Sequence, residues 1–290
     1  MITLTDSMRQ AFEVLPDAEP HFYVSAEDGE PYDVCLLRTA QGPRVLKRAK
    51  QHEAEIYQSL LAGCPCVPHL YDCRKVDGEV YLLLEQVKGQ PATRLDRRAL
   101  SKILDALIRV QDKYWQDVPV TDGFGYETAL ASRQSRGQYL GDETLERAYA
   151  AYLTLFEHLP RTLCHDDLLP FNVLVSDTGA TLIDWEVAGV LAYPTCIARL
   201  LAHAQESPEA LFYISEQDKA FAIDEYYNRL IRPRGIPYTD YRLALDHFFL
   251  YEYAEWIMLE HKFGGTDPDR YRRYLSLAQN IANSLNTNKR

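Results

Sequence analysis

The run His165-Asp166-Asp167-Leu168-Leu169-Pro170-Phe171-Asn172 leads into Val173-Leu174-Val175-Ser176, a turn at Asp177-Thr178-Gly179, and Ala180-Thr181-Leu182-Ile183-Asp184-Trp185-Glu186. Two short apolar runs around an Asp-x-Gly turn read as a hairpin. A hairpin brings its outer ends together, so Asn172 and Asp184 lie side by side. An amide oxygen beside a carboxylate suits Mg²⁺, which takes few protein ligands and completes its shell with water and phosphate oxygens. Asp167, five residues before Asn172 on the preceding loop, is placed to accept or orient the proton of a substrate hydroxyl. Taken singly, each is an ordinary cap or solvated charge; the spacing and the strand–turn–strand context make them one constellation.

Outward from the hairpin the chain divides. Met8, Ala11, Phe12 and Leu15 have helical spacing. Strands follow at His21–Ser25, Tyr32–Arg38 and Pro43–Arg48, then a helix over Gln51–Ala62 and strands at Leu70–Arg74 and Glu79–Glu85. Lys88-Gly89-Gln90-Pro91 reads as a linker. Beyond it the pattern is helical, with Ile103, Ala106, Leu107 and Val110 on one face and similar segments around 143–158, 195–205, 216–231 and 241–262. The expected class is α+β in two lobes: residues 1–88 a small antiparallel sheet with one helix, residues 89–290 larger and mainly helical with the hairpin at its heart.

The pattern H-x-D-x-x-x-x-N, a hairpin and I-D-W-E resembles the aminoglycoside phosphotransferase and choline kinase family of small-molecule kinases, which share a fold with protein kinases. The resemblance spans roughly residues 20 to 260. It implies that Asp167 is the catalytic base, that Asn172 and Asp184 are metal ligands, and that His165 packs and hydrogen-bonds behind them. It also implies that Lys47, at the end of a strand, contacts nucleotide phosphates with a Glu partner on the next helix. Glu53 and Glu55 are the candidates, and the position seven residues before Leu60 favours Glu53. The peptide groups of Glu85, Gln86 and Val87 match the hinge that hydrogen-bonds adenine. The implied activity is ATP- and Mg²⁺-dependent transfer of the γ-phosphate to a hydroxyl of a small molecule: aminoglycoside-like, amino alcohol or sugar.

Three departures accompany this resemblance. Ala26-Glu27-Asp28-Gly29-Glu30-Pro31 stands where a glycine-rich loop would lie. Asp166 stands where the family usually has Gly. Tyr193-Pro194-Thr195-Cys196-Ile197-Ala198 offers no carboxylate where the family often has a loop-bracing Asp. A non-catalytic nucleotide-binding pseudokinase is therefore the alternative. The D-W-E segment and the lack of A-P-E set a protein kinase aside.

Composition narrows the partners. Hydrophobic residues make up 47% and charged residues 25% of 290, an ordinary globular balance. With 31 Lys and Arg against 42 Asp and Glu, the net charge of −11 is wrong for a nucleic-acid binder. No apolar run approaches the roughly 20 residues of a membrane span, and no signal peptide is visible. The expected compartment is the cytoplasm, where the six cysteines would be free thiols. From Leu243 to His261 the chain carries Asp246, Glu252, Glu255 and Glu260 and no Lys or Arg. On a helix Phe248, Glu252, Glu255 and Trp256 share one face, while Leu250, Tyr253, Ala254 and Ile257 form the core stripe. Two readings stay open: a solvated acidic face, or a site where Glu252, Glu255 and Trp256 read a cationic acceptor, the ring adding about 0.5–2 kcal/mol of cation–π attraction.

Overall fold

Side-chain alternation gives the first third of the chain a sheet with two covered faces. Strands β1 (His21–Val24), β2 (Pro31–Thr39), β3 (Gly42–Ala49), β4 (Leu70–Val76) and β5 (Glu79–Glu85) pair antiparallel in the order β1-β2-β3-β5-β4. Cys35, Leu37, Leu46, Tyr81 and Leu83 bury one face with Met8 and Phe12, from and just after helix α1 (Asp6–Ala11). Successive residues of a strand face opposite ways, so Leu82 and Leu84 cover the other face with Ala54, Ile56 and Tyr57 of α2 (Gln51–Gln58). Lys47 lies opposite Leu82 in the β3–β5 ladder, on this second face. Helix α2 stops short of the expected Ala62, and the following turn has a left-handed Gly63. The computed structural model describes residues 2–24, 29–115 and 125–287. Residues 25–28, in the stretch where a glycine-rich loop was sought, lie outside them.

The Lys88–Pro91 linker is more than a connection. Gln90–Pro91 (β6) pairs with Val175 and Leu174 of β8 (Val173–Val175), which pairs in turn with β9 (Ala180–Leu182). Pro91 fits because β6 is an edge strand, where a missing N–H breaks no ladder. Helix α3 (Arg97–Lys113) packs on this small sheet, and α4 (Tyr126–Gly137), α5 (Glu143–His158), α6 (Pro194–Ala202), α7 (Glu216–Tyr226), α8 (Tyr238–Phe263) and α9 (Pro268–Thr287) build the rest of the lobe. Asp96 caps α3 by accepting from the Ala99 N–H at 2.8 Å. A further pair, β7 (Arg161–Cys164) and β10 (Gly189–Ala192), runs antiparallel, with β7 leading into the loop that begins at His165.

The reading of α8 as one core stripe and one acidic face is corrected. Phe248 and Glu252 are as buried as Leu250, Tyr253, Ala254 and Ile257, because α5, α6 and α9 all pack against α8. Glu252 is interior, with Glu255 and Trp256 half-buried beside it, and a charge so placed needs partners. Among the described residues no helix is long and apolar enough to cross a membrane.

Candidate active site

The hairpin sets the geometry. Val173 pairs with Leu182, and one step outward the Ile183 N–H donates to the Asn172 carbonyl at 2.9 Å, so Asn172 and Asp184 flank the same end. The Leu182 N–H donates to the Cys66 carbonyl at 2.8 Å, tying the hairpin to the loop after α2. Behind it, His165 is fully buried with Nε2 2.7 Å from the Ile183 carbonyl and its ring 4.7 Å from that of Trp185. Burial pushes the His165 pKa down, so at neutral pH the imidazole is uncharged. The His165 N–H donates to Cys196 Sγ at 3.1 Å, on α6. A cysteine sulfur from the Tyr193–Ala198 segment thus holds the backbone at His165, where the sequence offers no carboxylate.

Both Asp166 and Asp184 have left-handed backbone, with φ of +60° and +65°. That region is open to Gly and tolerated by Asp, which explains the Gly usual at position 166. The Asp166 carboxylate is paired through both oxygens with the Arg133 guanidinium. Arg133 is itself buried, donating from Nε to the Tyr152 hydroxyl at 2.9 Å and lying over the Phe156 and Tyr251 rings. The extra charge beside Asp167 is therefore neutralised from α4.

Asp167 keeps a partly exposed carboxylate, 36% open to solvent. Its Oδ1 accepts from Arg199 Nε at 3.1 Å and from a terminal nitrogen at 2.8 Å. The Asn172 side-chain nitrogen donates to the Asp167 carbonyl at 2.8 Å and to Oδ2 at 3.3 Å. With the side-chain amide nitrogen so directed, its partner Oδ1 is the Asn172 atom left for a metal.

Lys47 donates to Glu53 at 2.7 Å and is paired directly with Asp184. Burial alone would push the Lys47 pKa down, but Glu53 and Asp184 outweigh it and hold the ammonium above its ordinary value. Lys50 is 70% exposed and stands 3.8 Å from Glu186. Glu53 is buried while Glu55 is exposed. The fold thus brings Lys47, Glu53, Asn172, Asp184 and Asp167 to one place. At the end of β5 the Glu85 N–H donates to the His69 carbonyl at 2.9 Å, and its carboxylate accepts from the His69 N–H at 3.2 Å. Gln86 and Val87 follow, outside the strand.

The three acceptor candidates sit differently from one another. Glu252 is buried; its Oε2 accepts from Arg199 at 2.8 Å and stands 3.2 Å from His203 Nε2. Burial pushes its pKa up, but Arg199 and His203 more than offset this and hold it at about 2. Glu255 is partly open, 2.7 Å from Arg199 and 3.4 Å from Arg136. The Trp256 ring is stacked on Tyr274 at 5.4 Å and has the Arg270 guanidinium 4.7 Å from its centre. The stretch Leu243–His261, without Lys or Arg of its own, is thus supplied with cations by α4, α6 and α9. Sequence reading missed Arg133, Arg136, Arg199 and His203. One signal was present: Arg199 is the single charged residue of α6, and a lone guanidinium among apolar neighbours has to meet a carboxylate.

A lysine from the sheet, with an asparagine and two aspartates at one hairpin and its preceding loop, defines the class as a phosphotransferase of kinase-like fold. The sequence model described as "Phosphotransferase enzyme family" matches residues 17–193. The chain belongs to this family and is a small-molecule kinase. Similar solved structures include an aminoglycoside phosphotransferase from Alicyclobacillus acidocaldarius, at 17% identity and TM-score 0.63, with 99% of this chain and 97% of that one covered. An ethanolamine kinase from Plasmodium vivax is 13% identical with TM-score 0.59, covering 91% of this chain and 81% of that one. A choline kinase from Streptococcus pneumoniae is 16% identical with TM-score 0.56, covering 96% of each chain. At these identities the likeness is one of fold. No curated protein matches the sequence.

Proposed function

We propose that this kinase transfers the γ-phosphate of ATP, with Mg²⁺, to a hydroxyl of a small molecule in the cytoplasm. The cleft lies between a lobe of residues 1–88 and one of residues 89–290. The observation that carries this reading is the pairing of Asn172 with Asp184 across the hairpin end, with Lys47 on Asp184 and Asp167 on Asn172.

The donor set fits a hard divalent cation: the side-chain Oδ1 of Asn172, whose amide nitrogen is the atom given to Asp167, and the Asp184 carboxylate. A bound Mg²⁺ would neutralise charge on the phosphate oxygens. Lys47, oriented by Glu53, supplies a point charge to the same phosphates. The peptide groups of Glu85 to Val87 hold the adenine, with Gln86 and Val87 outside the ladder contributing most. Asp167 accepts the proton of the acceptor hydroxyl on Oδ2. Positioning and charge do most of the work, since the transferring group needs little covalent help.

The acceptor is an aminoglycoside-like compound, an amino alcohol or a sugar. An amine on it would meet Glu255, the more open of the two carboxylates; Glu252 and Trp256 stand behind, engaged by Arg199, His203 and Arg270.

The test is ADP formation from ATP or GTP, with Mg²⁺ or with chelator, over a panel of aminoglycosides, amino alcohols and sugars. Acceptor-dependent, chelator-sensitive turnover is expected. Nucleotide binding without turnover on any acceptor would leave a non-catalytic nucleotide binder instead. Matched amino and deaminated acceptors, tried on wild type and Glu255→Gln, separate a cationic from a neutral acceptor.

A further inference from the structure

Arg199 reaches the reaction from outside the motif. Its Nε and one terminal nitrogen both donate to Asp167 Oδ1, at 3.1 and 2.8 Å. Its other terminal nitrogen donates to Glu252 at 2.8 Å and to Glu255 at 2.7 Å. Glu252 is further fixed by His203, whose Nδ1 lies 2.9 Å from the Tyr274 hydroxyl. A chain of interlocked groups therefore runs from α9 through α8 to α6 and ends on the catalytic-loop carboxylate. The two oxygens of that carboxylate are unequal. Oδ1 takes two charge-assisted N–H bonds from a planar fork, while Oδ2 has the longer Asn172 contact of 3.3 Å. One turn earlier on the same helix, Cys196 holds the loop backbone at His165 through its sulfur. The loop is thus gripped twice from α6, once at the main chain and once at the reacting side chain.

We propose that Arg199 is a positioning residue: it fixes Asp167 through Oδ1 so that Oδ2 meets the acceptor hydroxyl, with Glu252 and Glu255 as the counter-charges that hold the guanidinium in place. The proposal rests on the phosphotransfer reading and adds to it how the base is held. Freezing the carboxylate matters because a misplacement of about 1 Å at the reacting group can lower the rate by about 100-fold. A purely structural Arg199, present only to neutralise Glu252 and Glu255, makes a different prediction. Lysine would then serve nearly as well, since it keeps the charge; it cannot offer two parallel N–H groups to one oxygen while also reaching Glu252.

The experiment uses Arg199→Lys together with the double variant Arg199→Gln/Glu252→Gln, which removes the buried carboxylate that Arg199→Gln alone would strand. Folding is checked by thermal denaturation, and turnover is read with Mg·ATP and the best acceptor of the panel. Folded Arg199→Lys is expected to keep the KM for ATP within about twofold while kcat falls roughly 10- to 100-fold. Guanidinium chloride at low concentration is expected to restore part of the kcat of the double variant, where sodium chloride does not. Crystal structures of both variants are expected to show the Asp167 carboxylate rotated. An unchanged kcat in folded Arg199→Lys, or an unmoved Asp167 in both variant structures, overturns the proposal. An inactive wild type would count against the phosphotransfer reading alone. The Asp167 orientation in the variant structures, rotated or unmoved, would then decide for or against the tether.

Discussion

Two adjacent carboxylates in the loop before the hairpin are directed to different partners by one backbone turn. At Asp166 the left-handed φ of +60° turns its side chain to buried Arg133, while Asp167 faces Asn172 and Arg199. Different measurements should therefore respond to the two. If Asp167 is the proton acceptor proposed above, Asp167→Asn leaves the nucleotide contacts in place, and kcat should fall by about 100-fold or more with nucleotide affinity nearly unchanged. Comparable turnover with the true acceptor would refute the assignment. Asp166→Ala should act on stability instead. It leaves the Arg133 guanidinium buried without its carboxylate, a loss on the order of 3–5 kcal/mol, and puts Ala in a left-handed conformation. A urea midpoint unchanged from wild type would show that Asp166 does not carry that charge. Asp167 was legible in the sequence because motif spacing fixes it. The role of Asp166 was not, because its partner lies 33 residues away on a helix with no clear apolar period.

At the scale of elements, what sequence could show depended on how each element is buried. The hairpin and β2 to β5 announce themselves through short β-rich runs bounded by turn residues. The pair β7 and β10 is almost wholly buried, so nothing alternates, and each strand has four residues. Helix α8 shows why a face cannot be judged from one helix alone: the arginines that neutralise Glu252 and Glu255 come from α4 and α6. That arrangement has an acid signature. Glu252 is held at about 2 against an ordinary 4.5, so the stability from its charged form is complete above 4.5 and is lost as pH falls toward 2. Urea midpoints measured from pH 5.5 down to 3 should drop less steeply for Glu252→Gln than for wild type. Parallel curves would mean that this buried pair does not contribute to acid sensitivity.

Across the whole molecule, the site is assembled from distant parts of the chain. Lys47 and Glu53 come from the sheet and its helix, Asn172 and Asp184 from the hairpin, Arg199 from α6 and Glu252 from α8. The N-terminal sheet and α2 share a core with the rest, and polar ties between them include the Lys47–Asp184 pair and the His52 contact of 2.7 Å with the Ala188 carbonyl. Lys47→Ala should therefore raise the KM for ATP and lower kcat together, since the phosphates lose a charge-assisted bond worth roughly 1.5–3 kcal/mol. A larger loss from Lys50→Ala would move the phosphate contact to that residue.

The ammonium of Lys47 also has a consequence for the order in which ligands bind. Resting on Asp184, it is a built-in rival for any divalent ion that seeks the same carboxylate. Free metal has to displace a tethered cation that is present at high effective concentration, and little is gained in exchange. A nucleotide reverses the balance by giving Lys47 phosphates to hold. Metal and nucleotide should then bind as mutual helpers, each weak alone and tight together, with the same coupling whichever is added first. Replacing Lys47 with Met removes the rival. Calorimetric titration with Mn²⁺ alone should show tighter binding to that variant than to wild type, and the help from nucleotide should shrink. Equal Mn²⁺ affinity in the two proteins would mean that the ion pair yields to metal at no cost.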